Sequence, residues 1–178
     1  MKNQKIKQYL KSIVINILIA AVVSILIINY VASAYRVRGH SMNSVLRDRE
    51  RIIISKLAVR FGHIDRFDIV VLHNPNEPSK SLVKRVIGLP HELVEIKDGD
   101  VYIDHKKLIQ PFLKEHNGFV YKNENMKPLR IKEDYYFVMG DNRVVSRDSR
   151  SFGPVPKDSI YGITILRYWP LSRFGKVE

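Results

Sequence analysis

Cysteine is absent from the 178 residues. That excludes a disulfide framework, a thiolate metal site and a cysteine nucleophile. Histidine is sparse. None of His40, His63, His73, His91, His105 and His116 forms a close metal-ligand pair such as HxxxH, and none stands beside a motif-like acid. Each reads as a surface or loop residue, although a Ser-His-Asp triad is defined by geometry and spacing alone does not exclude it. Internal repeats and low-complexity tracts are lacking. Charge is missing altogether between Ser12 and Tyr35.

What is present is globular: 45% apolar residues and 10% aromatics, in a length that suits one domain with a modest core. The formal net charge is +12. The basic residues are scattered, with no arginine-rich helix and no aromatic-interleaved RNA motif, so the composition does not point to nucleic acid. An anionic membrane surface attracts the same charge.

The uncharged run contains "IVINILIAAVVSILIINYVASA", Ile13 to Ala34. As a helix it is roughly 33 Å long, matching a bilayer core. Lys2, Lys5, Lys7 and Lys11 precede it with no acid among them, which predicts a cytoplasmic amino terminus and an exported remainder. Arg36 and Arg38 on the far side do not reverse this, because long domains translocate largely regardless of charge. Ala32-Ser33-Ala34 has the small-x-small form of a cleavage site, but the apolar run exceeds the ~7–15 residues of a signal-peptide core, so a retained anchor is expected. The expected organisation is a basic cytoplasmic tail over 1–11, a transmembrane helix over 12–34, and an extracytoplasmic domain over 35–178.

That domain reads as β. "ERIIIS" (Glu50–Ser55), "DIVVLH" (Asp68–His73), "SLVKRVIG" (Ser81–Gly88), "YYFVM" (Tyr135–Met139) and "YGITILRYW" (Tyr161–Trp169) are short β-branched or aromatic runs. "VEIKDGDVYID" predicts a hairpin turning at Asp98-Gly99, and "DHKKL" a second turn. His105 to Lys132, rich in Lys, Asn and Pro, reads as a mobile excursion. The fold class is mainly β, a mixed antiparallel domain behind a transmembrane helix.

Two stretches carry chemistry. "RGHSMNSVL" places Ser41 a few residues beyond the apolar run, and "SLVKRVIGLP" carries Lys84 between apolar neighbours. Strand alternation puts Leu82, Lys84 and Val86 on one face and Val83, Arg85 and Ile87 on the other. A buried Lys loses its preference for the charged form and can accept a hydroxyl proton. An edge strand with the ammonium snorkelled to solvent is the competing reading. A third stretch, "GDNRVVSRDSRSFG", opens on a Gly-Asp-Asn turn and packs Arg143, Arg147, Asp148 and Arg150 around Ser146 and Ser149. It fits either a solvated polar loop or a network that braces a base.

Taken together these segments resemble type I signal peptidases, membrane-anchored serine proteases with a Ser-Lys dyad. The match runs in order through the Lys-rich start, the anchor, "GHSMNSVL", "DRFDIVVLHNP", "LVKRVIGLPHE", "GDNRVVSRDSRSFGPV" and "RYWPLS". The resemblance implies the Ser-Lys protease fold, Ser41 as nucleophile and Lys84 as general base. Ser146 would orient the lysine, Asp148 with Arg150 would support the site, and Asp141 with Arg143 would hold the box, with Arg85 a partner. Met42 and Gly39 would belong to the substrate cleft, and the Ser41 N–H to an oxyanion hole. It implies no metal and no cofactor, preproteins bearing signal peptides as substrates, contact with membrane lipid, and a monomer in the cell membrane.

Two segments depart from the family pattern. Ser-Met-x-Pro-Thr-Leu reads "SMNSVL", with Ser44 for Pro and Val45 for Thr. Gly-x-Pro-Gly-Asp reads "GLPHE", with His91 for a Gly that can need positive φ and Glu92 for Asp. Two other readings share parts of this pattern: a self-cleaving repressor-type Ser-Lys protein, which would carry a DNA-binding region in place of the anchor, and a catalytically inactive relative acting as a membrane-bound assembly helper.

Overall fold

The computed structural model describes residues 2–43, 45–113 and 124–177. Helix α1 (Lys2–Leu26) leads into a π-helical turn over Ile27–Val31. Tyr9–Val31 has a mean hydropathy of 2.6 and buries nothing against the rest of the chain. A helix that exposes apolar residues all round is stable only where the surroundings are apolar too, and this one fits a single membrane span. The expected helical span to residue 34 is three residues too long. Ala32–Arg36 is strand β1, paired in full register with β2 (Arg51–Ser55). At the junction the Lys56 ammonium donates to the carbonyls of Ile28 and Asn29, at 3.0 and 3.3 Å, and the Ser33 hydroxyl to Ile28. These bonds satisfy carbonyls that a helix end would otherwise leave open.

The remaining strands are β3 (Ile69–Asn74), β4 (Glu77–Gly88), β5 (Leu93–Lys97), β6 (Asp100–Ile103), β7 (Lys106–Lys107), β8 (Met126–Arg130), β9 (Tyr135–Met139), β10 (Val155–Pro156), β11 (Ile160–Trp169) and β12 (Gly175–Lys176). Every pairing among the described residues is antiparallel. The large sheet runs β1-β2-β11-β3-β4-β9-β10, with β12 beside β11, and a second sheet runs β7-β6-β5-β8. Helices α2 (Lys56–Phe61) and α3 (Ser149–Phe152) are short. The mainly β reading therefore holds. The expected excursion over His105–Lys132 contains β7 and β8, and its middle, 114–123, lies outside the described residues.

Both faces of the large sheet are apolar. Ile69, Val71 and Val83 join Val37, Met42, Leu46, Ile52 and Ile54 on one side, while Val70, Leu72 and Val86 join Tyr136, Val138 and Ile160 on the other. A third cluster ties Ile87, Phe137 and Met139 to the second sheet through Val94, Ile96 and Ile131. Strand β4 is interior, hydrogen-bonded to β3 on one side and β9 on the other. The edge-strand reading of Lys84 is thereby excluded. Its partner across the ladder is Val70, so the amine shares a face with the second cluster, as the alternation predicts.

The hairpin at Asp98-Gly99 forms as read, with φ of 51° and 83° at the two turn residues, and Asp104 and His105 repeat the pattern at 46° and 66°. His91 also sits in the left-handed region, at φ 68°. A Gly expected there from the resemblance has a physical reason, and the imidazole-bearing residue keeps that conformation. Its neighbour Glu92 compensates locally by pairing with Arg66 and accepting the Leu89 N–H.

Candidate active site

Interior pairing of β4 carries Lys84 into the molecule, where it is 2% exposed. Its Nζ lies 2.8 Å from Ser41 Oγ, to which it donates. Ser41 itself is half-buried, in the loop between β1 and β2. Burial lowers the Lys84 pKa from 10.5 to about 8; Asp148 and Asp141 oppose that shift and Arg150 adds to it. A nearby anion favours the ammonium and a nearby cation disfavours it, so the neighbours largely offset one another and desolvation decides.

Asp148 is fully buried. One of its oxygens accepts the Gly140 N–H at 2.9 Å, and its carboxylate also takes Arg150 Nε and NH2 at 2.8 and 2.9 Å. Burial alone would raise this carboxyl, but the Arg150 hydrogen bonds and charge, the Gly140 N–H and the nearby Ser146 hydroxyl outweigh it and hold it low. Arg150 then reaches the Arg143 and Ser146 carbonyls at 2.8 and 3.3 Å and Glu124 at 2.5 Å. Arg143 donates to the Gly140 carbonyl at 3.1 Å and to Gln110. The loop is thus a closed network and not a solvated charge run.

Asp141 and Arg85 form a bidentate pair at 2.9 and 2.8 Å, with side chains 1% and 2% exposed. Arg85 also donates to the Phe67 carbonyl and lies over the Phe112 ring, 4.0 Å from its centroid. Because Arg85 follows Lys84 on β4, the pair fixes the strand that bears Lys84 to the start of the Gly140 loop.

Two expectations need correction. Ser146 makes no hydrogen bond to Lys84: its Oγ is buried without a regular partner and acts on Asp148 by proximity. Met42 is not an open cleft wall. It is 1% exposed, among the core residues Val37, Leu46 and Ile52, because the turn after Ser41 folds back through Leu46 N–H to Met42 O at 2.9 Å. Gly39 has φ 87° and gives its N–H to Asp48 at 2.9 Å, so that N–H is already engaged.

Sequence reasoning missed Gly140, Asn142 and Ser149 as site residues. A Cβ on Gly140 would stand 2.5 Å from the Ser41 carbonyl oxygen and closer still to Ser146 Oγ. Asn142 donates its N–H to the Ser41 carbonyl at 2.9 Å and its Nδ2 to the His40 carbonyl at 3.1 Å. Ser149 Oγ accepts the Val138 N–H, tying α3 to β9. The signal was the Gly-Asp-Asn turn itself, since such residues recur where backbones approach closely. Ser44 lies outside the described residues. Val45 is held without a proline: its carbonyl accepts from Arg167 at 2.8 Å and Arg173 at 3.1 Å, and Glu50 pairs with both arginines. Among the described residues no histidine hydrogen-bonds Ser41 or Lys84.

The family model described as signal peptidase, peptidase S26 matches residues 6–169. Signal peptidase I S of Bacillus subtilis (strain 168) is 36% identical, over 99% of this chain and 96% of its own. Signal peptidase IB of Staphylococcus aureus (strain Mu50 / ATCC 700699) is 35% identical over 94% of each. The solved signal peptidase I of Enterococcus faecalis V583 superimposes with a TM-score of 0.50 at 36% identity, over 57% of this chain and 96% of its own. A family-model match over most of the chain, a shared fold and identity at this level over nearly its whole length place it: the protein belongs to the signal peptidase family, peptidase S26, and is a serine endopeptidase.

Proposed function

We propose that the chain removes amino-terminal signal peptides from exported preproteins after small-x-small motifs, with Ser41 as nucleophile and Lys84 as general base. The observation that carries the assignment of roles is the 2.8 Å contact between a half-buried hydroxyl and a buried amine whose pKa is lowered to about 8. A hydroxyl nucleophile needs a nearby base, and an amine titrating near neutrality serves.

The preprotein lies extended, pairing its backbone with the enzyme as an added strand. Ser41 Oγ attacks the scissile carbonyl carbon while its proton passes to neutral Lys84. The carbonyl π-electrons move to oxygen, and the Ser41 N–H, which donates to no acceptor among the described residues, stabilises the oxyanion. Collapse breaks the C–N bond, and Lys84 gives its proton to the departing amine. A water then attacks the acyl carbonyl as Lys84 takes its proton. The bond from that carbon to Ser41 Oγ breaks as Lys84 passes the proton to Oγ, which frees the signal peptide with a new carboxyl end and restores both groups. Asp148, Arg150, Asp141, Arg143 and Arg85 hold the loop and strand that bear these groups, with Ser146 beside Asp148. The protein acts as a monomer in the cell membrane, its Lys-rich end cytoplasmic and its β domain outside, with α1 in lipid.

Preprotein cleavage by the purified full chain in detergent micelles tests this. Ser41→Ala is expected to lower turnover by at least about 10³-fold while keeping the wild-type melting temperature, since removal of a nucleophile costs far more than a single contact. A Ser41→Ala variant that cleaves at the wild-type rate sinks the assignment.

A further inference from the structure

Asn142 lies 102 positions beyond His40 and yet grips the backbone on both sides of Ser41. Its own N–H holds the Ser41 carbonyl at 2.9 Å, and its Nδ2 holds the His40 carbonyl at 3.1 Å. A carbonyl can only accept, so the amide nitrogen must face it. The His40 carbonyl and the Ser41 N–H belong to one peptide unit. In a trans peptide these two groups are locked in a plane and point in opposite directions. A donor that fixes the carbonyl therefore aims the N–H.

We infer that Asn142 is a positioning residue for the oxyanion hole: by holding the His40 carbonyl it directs the Ser41 N–H at the oxygen that becomes charged. The inference rests on the proposed reading of Ser41 as nucleophile. Three further facts converge on it. The Ser41 N–H has no acceptor among the described residues, as a donor kept for substrate must. The neighbouring Gly39 N–H is taken by Asp48, so the Ser41 donor is not backed up by that neighbour. The absence of a side chain at Gly140 lets the loop bearing Asn142 approach the Ser41 carbonyl closely enough to grip it. The turn bond from Asn43 N–H to the same His40 carbonyl, at 3.1 Å, shares the load, so loss of Asn142 misaims the donor without removing it. A carbonyl that accepts a hydrogen bond also polarises its own peptide unit, which strengthens the N–H as a donor.

Since an oxyanion exists only in the transition state and the tetrahedral intermediate, the effect falls on turnover and spares ground-state binding. The test uses the full chain in detergent micelles with a preprotein substrate and the variants Asn142→Ala and Asn142→Asp. The second keeps the size and the backbone N–H but loses the side-chain donor, and it decides the matter if the alanine variant does not fold. In Asn142→Ala kcat is expected to fall about tenfold, the worth of one neutral hydrogen bond, and in Asn142→Asp at least as far because its carboxylate repels the His40 carbonyl, with KM within about twofold in both. In Asn142→Ala the acid limb of the pH–rate profile stays where wild type has it, because no charge near Lys84 changes; the new carboxylate of Asn142→Asp favours the Lys84 ammonium and moves that limb up.

A peptide aldehyde ending in a small residue provides the second readout. Ser41 Oγ bonds to the aldehyde carbon, the C=O π-electrons pass to oxygen, and the hydroxyl proton moves to Lys84, leaving a tetrahedral oxyanion in the hole. Its affinity is expected to fall by the same factor as kcat. Wild-type kcat in either folded variant overturns the inference, as does a lower kcat with unchanged aldehyde affinity or a displaced acid limb in Asn142→Ala. Failure of the underlying reading looks different: there Ser41→Ala still cleaves, whatever residue 142 does.

Discussion

Replacing Lys84 by Met keeps the length and most of the volume of a side chain that is 2% exposed, and deletes only the amine. In the unfolded chain the lysine titrates at about 10.5, and in the folded protein burial brings it to about 8. Below pH 8 the amine is charged in both states, and holding that charge inside costs about 3 kcal/mol of stability, at roughly 1.4 kcal/mol per tenfold change in proton affinity. Between pH 8 and 10.5 the folded protein binds fewer protons than the unfolded chain, so wild-type stability rises with pH through this window. Above 10.5 the amine is neutral in both states and the cost has gone. Lys84→Met has no such dependence. Urea unfolding of both proteins from pH 6 to 11 is therefore expected to show a stability difference in favour of Met that is largest below pH 8. It should shrink by about 3 kcal/mol as pH rises to 10.5, with all other titrations cancelling in the difference. Activity gives the counterpart in the wild type. With an amine titrating at about 8, roughly a tenth of the enzyme holds neutral Lys84 at pH 7 and nine-tenths at pH 9, so turnover rises about ninefold. A stability difference that is flat with pH, or a rate already at its plateau at pH 6, refutes the buried-base reasoning.

Asp141→Ala leaves the Arg85 charge buried without its bidentate partner and is expected to destabilise the fold by about 3–5 kcal/mol, measured by chemical denaturation. Gly140→Ala forces a methyl against the Ser41 carbonyl oxygen, so it is expected to cut kcat by at least about tenfold with a smaller loss of stability; normal turnover would show that the loop can retreat. His91→Gly relieves a left-handed residue at φ 68° and is expected to raise thermal stability modestly, by up to ~1 kcal/mol after the entropy of the added glycine, with preprotein cleavage unchanged.

Much of the fold is legible in local chemistry. The runs around Ile52, Val70, Val86 and Phe137 are β-branched or aromatic and bounded by turn residues, and all four became strands. Asp98-Gly99 marks its hairpin because only certain residues accept the positive φ that the turn requires. The apolar run announces a membrane-length helix because hydrophobicity and length are properties of the segment itself. Its end is different. Ala32, Ser33 and Ala34 favour helix by local propensity, and β2 across the ladder overrides that preference and makes them strand. β4 likewise extends back to Glu77 through Pro78 and Lys80, a stretch that reads as loop until Asn74 pairs with it. Ser41 and Lys84 were legible as two residue types in familiar surroundings, but not as a contact. The 2.8 Å between Ser41 and Lys84, the low pKa of the amine, the core position of Met42 and the grip of Asn142 on His40 all join segments tens of residues apart. Sequence by itself determines what each segment prefers and which groups it can offer. Burial, and with it the protonation of Lys84 and the direction of the Ser41 N–H, belongs to the packed whole, because desolvation and hydrogen-bond geometry depend on neighbours that only the tertiary fold supplies.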